Sequence, residues 1–253
     1  MIKVPDWKKC EYVEKYIKES EQKTSINQAW ADRGIIRTFT EYLVEIDFTK
    51  RYTWMGRPII QYPTDLMVLQ ELIWKLEPDL IIETGTAFGG TAVFYASILE
   101  AMGKGRVITV DNDLRYHNRR ALERHPLSGR ITPVTGDSIA TTVIDLIGTV
   151  IGKNILQTVM VCLDSNHTHS HVMQELALYS CFVSPGSYMI VFDTAIELMM
   201  KEKPADRPWG PGDNPYTAVQ EFMSRDKRFV VDREIEQRAM ITAAPGGWLR
   251  RLA

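Results

Sequence analysis

The chain has 253 residues, 45% of them apolar and 25% charged, with 30 basic against 32 acidic side chains. That suffices to bury a sizeable core as one large α/β domain with an appendage. A net charge of −2 supplies no basic field for nucleic acid or for an anionic membrane, so the expected partner is a small molecule.

The N-terminal stretch is too charged for a signal peptide, and no apolar run approaches the roughly 20 residues that span a bilayer. Three widely spaced cysteines, Cys10, Cys162 and Cys181, fit a reducing compartment. The expectation is a soluble cytoplasmic protein that forms a homo-oligomer.

Residues 1–63 read as a helical extension followed by the loop "TKRYTWMGRPIIQYPTD", whose glycine and prolines break any long helix. Trp54 and Tyr62 in that loop are expected on the substrate side. Residues 64–253 read as the main domain. "TDLMVLQELIWKLEP" has helical apolar spacing behind a Thr/Asp start, and proline follows its end.

Five short β-rich runs come next: "DLIIE", "RVITVD", "RITPVTGD", "TVMVCLD" and "SYMIVFD". Each ends in an acidic residue, and helix-length segments such as Thr91 to Met102 and His169 to Phe182 separate several of them. Strands alternating with helices predict right-handed βαβ units, a doubly wound Rossmann-like parallel sheet, and a ligand crevice beyond the carboxyl ends of the strands. "FVVDREI" and "RAMITAAP" read as two strands joined without a helix, an antiparallel hairpin at one edge.

The first of these strands leads into "ETGTAFGGTA". Gly85, Gly89 and Gly90 permit a tight turn and close approach of a ligand to the backbone. Ala87 stands where the dinucleotide fingerprint needs its second glycine, and no P-loop lysine follows. Glu83 beside the turn would repel a pyrophosphate and attract an ammonium group, so a cationic amino-acid ligand fits better. Asp111, at the next strand end, suits a ribose diol or a loop cap. Asp137 and Ser138 in "TGDS" would line the same crevice or cap a helix beginning near Ile139.

Asp164 and Asp193 end the fourth and fifth runs. Two carboxylates a strand apart suit a hard divalent cation such as Mg²⁺. His167, three residues past Asp164, is placed to act as general base near neutral pH. His169 and His171 belong to the first turns of the next helix, where successive side chains diverge, with structural or substrate-contact roles. Two alternatives stay open: a zinc hydrolase built on "HTHSH", which lacks the aspartate of the fuller hydrolase pattern, and a scaffold that keeps the cofactor fold without the chemistry. The proline- and glycine-rich stretch Lys201 to Pro215 carries Trp209 and reads as a lid over the crevice, or as an ordered surface loop whose tryptophan plugs the core or a subunit contact.

From about Thr53 onward, "ETGTAFGGTAVFYASILEAMGKGRVITVDNDLRYHNRRALERHP", "LDSNHTHSHVMQELALYSCFV", "YMIVFDTAIE" and "RPWGPGDNPYTAVQEF" resemble the cephalosporin hydroxylase family, which includes rhamnosyl O-methyltransferases. The resemblance implies a class I S-adenosylmethionine methyltransferase with a seven-stranded sheet of order 3-2-1-4-5-7-6 and an antiparallel last strand. It implies Mg²⁺-assisted methylation of a hydroxyl on a sugar or glycosylated natural product. Glu83, Gly85, Thr86, Ala87 and Gly90 would hold the methionine part of the cofactor, Asp111 the ribose, and Asp137 with Ser138 the adenine. Asp164, which also borders the cofactor, would bind metal with Asp193, His167 would be the base, and Thr194 would lie beside the metal. His169 and Trp209 join Trp54 and Tyr62 on the substrate side. Phe192 stands where several relatives have a second acid, which leaves the third metal ligand open, with Glu197 as a spare candidate.

Overall fold

The computed structural model describes residues 13–15, 18, 34–152, 157–200 and 202–253. Of the helical extension and loop expected over residues 1–63, most of the first 33 residues, Cys10 among them, lie outside that set. The helix α1 (Ile35–Glu45) buries Thr40 and Leu43. It leads to an antiparallel hairpin of β1 (Tyr52–Trp54) and β2 (Arg57–Ile59). The sequence had suggested only a loop here, because three-residue strands are too short for alternation to show. The turn between them is Met55-Gly56, both at positive φ, which is the backbone that closes a two-residue hairpin.

Helix α2 (Pro63–Leu76) starts on proline, whose missing N–H costs nothing at that position. The main sheet follows: β3 (Leu80–Thr84), β4 (Arg106–Asp111), β5 (Ile131–Thr135), β6 (Val159–Leu163), β7 (Tyr188–Val191), β8 (Phe229–Val231) and β9 (Trp248–Arg251). Their spatial order is β5-β4-β3-β6-β7-β9-β8. Only β9 runs against its neighbours. Counted within this sheet, the order is the expected 3-2-1-4-5-7-6.

Side chains of β3 and β6 are buried along their whole length, as strands covered on both faces must be. Alternate residues serve opposite layers. Ile81, Val107, Met160 and Ile190 pack under α2 and α3 (Gly90–Met102) through Leu69, Ile73, Phe94 and Leu99. Leu80, Ile82, Ile108 and Val161 pack under α5 (Thr141–Ile151), α6 (His169–Tyr179) and α8 (Pro215–Arg225) through Val143, Ile147, Leu176, Val219 and Phe222. The shorter helices α4 (Tyr116–Glu123), α7 (Ile196–Met199) and α9 (Arg233–Ala239) complete the fold.

The C-terminal expectation needs correction. Phe229–Val231 is a strand, but "RAMITAAP" is not. The chain enters α9 at Asp232, whose side chain accepts from the backbone N–H of Ile235. Ala239, Ala243 and Ala244 are then buried in the first core layer. The edge partner is "WLRR", which two arginines disguise. The sheet reverses its winding between β3 and β6, so the crevice opens above those two strand ends.

Candidate active site

The turn from β3 into α3 is shaped by contacts on three sides. Gly85 has φ 88°, and a Cβ there would lie 1.9 Å from the Asp164 carbonyl oxygen, so the close approach of the β3 and β6 ends demands glycine. Ala87 also has a left-handed backbone, φ 46°, without being glycine. Its N–H donates to Asp111 Oδ2 at 2.9 Å, and Asn118 Nδ2 donates to its carbonyl at 3.0 Å. Arg57 of the hairpin donates to the Phe88 carbonyl and to Asn118 Oδ1. Gly90 is required by packing, since a Cβ would meet the Pro58 carbonyl at 2.2 Å. Thr86 is buried and its hydroxyl pairs with that of Thr109, so its side chain braces the turn from below.

Glu83 is buried beneath this turn and accepts from Thr109 Oγ1 at 2.5 Å. Burial pushes its carboxyl up to about 8; hydrogen bonds from Thr109 and Thr91 oppose the shift, and Asp164 and Asp111 add to it. Asp111 holds the turn through Oδ2 and its own loop through Oδ1, which accepts from the Asp113 N–H. A cleft lies here, lined among others by Gly85, Asp111, Asp137, Ser138, Ser165 and His171. The Asp137 carboxylate accepts from the Ile139 N–H, and α5 begins two residues later than expected, at Thr141.

A second group lies where β6 and β7 end. Asp164, His167 and Asp193 each offer a ligand atom within 4.8 Å of the others. His167 Nε2 is 3.2 Å from Asp193 Oδ2 and 3.8 Å from Asp164 Oδ1. Its Nδ1 is buried with no hydrogen-bond partner. Asp193 has φ 56°, a left-handed backbone that aspartate tolerates better than most residues. Burial lifts the Asp164 carboxyl; the His167 hydrogen bond opposes that, and Asp193 reinforces it. Burial works against charge on His167, but Asp193 and then Asp164 outweigh it and raise the imidazole. Asp65, at the start of α2, is fully buried and is pushed up to about 7, chiefly by burial, with the charges of Asp193 and Asp164 adding. Tyr62 is held up at about 12 by burial and then by Asp65 and Asp193. The rim is therefore a well of negative potential.

The remaining expected site residues separate. Trp209 does reach the site: its ring centroid is 5.2 Å from that of His167. Tyr62 is buried at the N-cap of α2, within the electrostatic reach of Asp193. Trp54 is held elsewhere, edge-on to Phe94 with its indole N–H on Ser97 Oγ, so it braces the hairpin on α3. His169 is likewise structural: Nδ1 meets Thr217 Oγ1 at 2.8 Å and Nε2 meets Glu221 Oε2 at 3.0 Å, clipping α6 to α8. Thr194 is fully buried, and its hydroxyl hydrogen-bonds to none of the three cluster residues. Glu197 accepts from the Gly212 N–H and from Asn214 Nδ2, anchoring the 201–215 loop instead of completing a metal set.

Sequence reasoning missed three residues. Gln61 donates from Nε2 to Asp164 Oδ2 at 3.1 Å. Arg57 clamps the turn. Glu175, buried behind the cleft, carries Ser165. A polar residue inside the apolar "PIIQYP", and an acid four positions after His171, were the available signals.

The three histidines of "HTHSH" thus face three different sets of partners, which removes the metal cage that a zinc hydrolase would need. The sheet order, the acidic strand ends and the glycine turn define a Rossmann-like fold, of the kind whose crevice takes a nucleoside cofactor. The family model described as rhamnosyl O-methyltransferase/CmcI matches residues 46–252. A rhamnosyl O-methyltransferase of Mycobacterium bovis is 31% identical over 201 residues, 79% of this chain and 78% of that one. One from Mycobacterium leprae is 29% identical over 205 residues, 79% and 82% of the two chains. Among solved structures, CmcI with Mg and SAM is similar in fold, with a TM-score of 0.56 at 18% identity, covering 81% of this chain and 78% of that one. The chain belongs to the rhamnosyl O-methyltransferase/CmcI family, and it is an S-adenosylmethionine-dependent O-methyltransferase.

Proposed function

We propose that this enzyme methylates a hydroxyl of a sugar or glycosylated natural product, with Mg²⁺ at Asp164 and Asp193. The observation that carries the reading is the convergence of Asp164, His167 and Asp193 at the rim, beside the glycine turn. The donor set fits a hard divalent cation: two carboxylates from adjacent strand ends and concentrated negative charge. Bound there, the cation would supply Lewis-acid polarisation of the acceptor hydroxyl.

The chain's own residues supply the rest. Glu83 offers a carboxylate to the ammonium of the methionine portion, and Asp111 has oxygen lone pairs left for the ribose hydroxyls. Once the charge of Asp164 and Asp193 is neutralised, His167 Nε2 gives up its own proton, and it can then take the hydroxyl proton as the oxygen attacks the methyl carbon in line and the carbon–sulfur bond of the sulfonium breaks to leave the thioether. Trp209 lies against His167 and narrows the approach to it. The loop that ends the N-terminal extension is the acceptor-side wall in this reading, a role that Gln61 and Tyr62 support by their placement against Asp164 and Asp193. The enzyme would work in the cytoplasm as a homo-oligomer, a state that sedimentation would check; among the described residues, no helix is long and apolar enough to cross a membrane.

The test is a screen of glycosides with labelled cofactor, with and without chelator. Methylation that stops in excess chelator is expected. Full activity in chelator would remove the cation, and transfer to none of the hydroxyl acceptors would remove the acceptor class. One observation favours a second role for His167: the nitrogen that meets both carboxylates is Nε2, so His167 is also placed to be the third ligand. As a base, His167→Ala leaves Mn²⁺ affinity near wild type; as a ligand, it weakens that affinity roughly tenfold or more.

A further inference from the structure

His171 was left without a role by the chemistry above. It lies one turn into α6, on a stripe with Glu175 and Tyr179 at successive four-residue steps. His171 lines the cleft. Its Nε2 is 3.0 Å from Ser138 Oγ, 3.4 Å from Ser165 Oγ and 3.7 Å from Glu175 Oε1. Ser165 Oγ donates to that same Glu175 oxygen at 2.7 Å. Tyr179 donates its hydroxyl to the Ser138 carbonyl at 2.8 Å.

Ser138 follows β5 and Ser165 follows β6, so they stand on opposite sides of the crevice, and the imidazole bridges them. Glu175 is completely buried, and its Oε2 has no hydrogen-bond partner. A carboxylate in such a place costs folding free energy unless something compensates, and an apolar residue would fill the space more cheaply. The cost has a use if the carboxylate fixes which way the imidazole faces. With three oxygens around Nε2, the ring presents its other edge, Nδ1, which makes no hydrogen bond among the described residues. The cleft thus has a preset polar wall at the Asp137–Ser138 end.

We propose that His171, oriented by Glu175, is a positioning residue for the purine of the cofactor, setting its affinity and the preference for adenine over other bases. The inference rests on the assignment of this cleft to S-adenosylmethionine. Calorimetry with S-adenosylhomocysteine, 5′-methylthioadenosine and S-inosylhomocysteine tests it on wild type, His171→Asn and the near-isosteric Glu175→Gln, with melting temperatures as the check on folding. Both substitutions are expected to weaken the two adenosyl ligands roughly tenfold, the worth of one good hydrogen bond, and to change the inosyl ligand less. Methylthioadenosine lacks the amino acid, so an equal loss for it locates the effect at the purine end. Glu83→Gln should spare that ligand and weaken the two homocysteine ligands alike, since both carry the ammonium. If either variant is too unstable to assay, Ser165→Ala, which removes the hydroxyl shared with Glu175, should shrink the adenosyl preference in the same way. Folded variants with wild-type affinities would overturn the proposal, as would equal losses for adenosyl and inosyl ligands. Binding of none of the three to wild type would instead bring down the cofactor assignment itself.

Discussion

Glu83 and His167 hold their protons for opposite reasons. Burial keeps the carboxyl neutral near pH 7, whereas neighbouring carboxylates keep the imidazole charged. A cationic ligand reverses the first condition: an ammonium beside Glu83 favours the ionised acid, so binding must expel a proton. Cofactor titrations at pH 7 in buffers of different ionisation enthalpy should show that release, and Glu83→Gln should abolish it while weakening the cofactor. Buffer-independent heats in wild type would refute the pairing. His167→Ala should lower turnover by a factor of about 10² to 10⁴, the usual worth of a placed base. Near-wild-type turnover from pH 6 to 9 would show that the hydroxyl needs no imidazole. Gly85→Ala should fail for a purely steric reason. Its methyl would overlap the Asp164 carbonyl, a clash whose relief costs about 1 to 3 kcal/mol or more, and a melting curve would read it directly.

Between residues and the whole fold lie the elements that carry them. The 201–215 loop is tied at its far end by Glu197, by the paired Gly210 and Asp213, and by the Asn214 cap of α8, while Trp209 leans on His167. Trp209→Ala should therefore raise the acceptor KM more than the cofactor KM; equal effects on both would make the loop a brace instead of a cover. Elements of this kind were unevenly legible in the sequence. The central parallel strands β3, β6 and β7 announced themselves because both faces are buried, giving apolar runs that lead into acids. Strand β9 did not, since an edge-adjacent strand of four residues with two arginines has no such signature. Helix α6 was visible, yet its histidines could not be sorted from spacing alone. Their partners Thr217, Glu221 and Ser138 lie 48, 52 and 33 residues away along the chain. Gln61 was invisible for the same reason, being 103 residues from Asp164.

Across the whole molecule, the raised groups act in one direction. Glu83 and Asp65 bind protons in the folded state to about pH 8 and 7, while their ordinary values are 4.5 and 3.8. His167 keeps its proton to about pH 9 against an ordinary 6.5. In each window the folded chain holds more protons than the unfolded one, so stability must fall as pH rises from about 4 toward 9. Thermal melts of the ligand-free protein should show that decline, and saturating Mg²⁺ with cofactor should flatten it. A ligand-free protein that melts highest at pH 9 would contradict the charge map. The contact between Trp209 and His167 has an optical consequence. A protonated imidazole accepts an electron from excited indole and quenches its emission, whereas a neutral one quenches far less. Fluorescence should therefore brighten as the ring loses its proton, on titration or on cation uptake, and Trp209→Phe should remove that signal, giving the enzyme a built-in lamp for the state of its own rim.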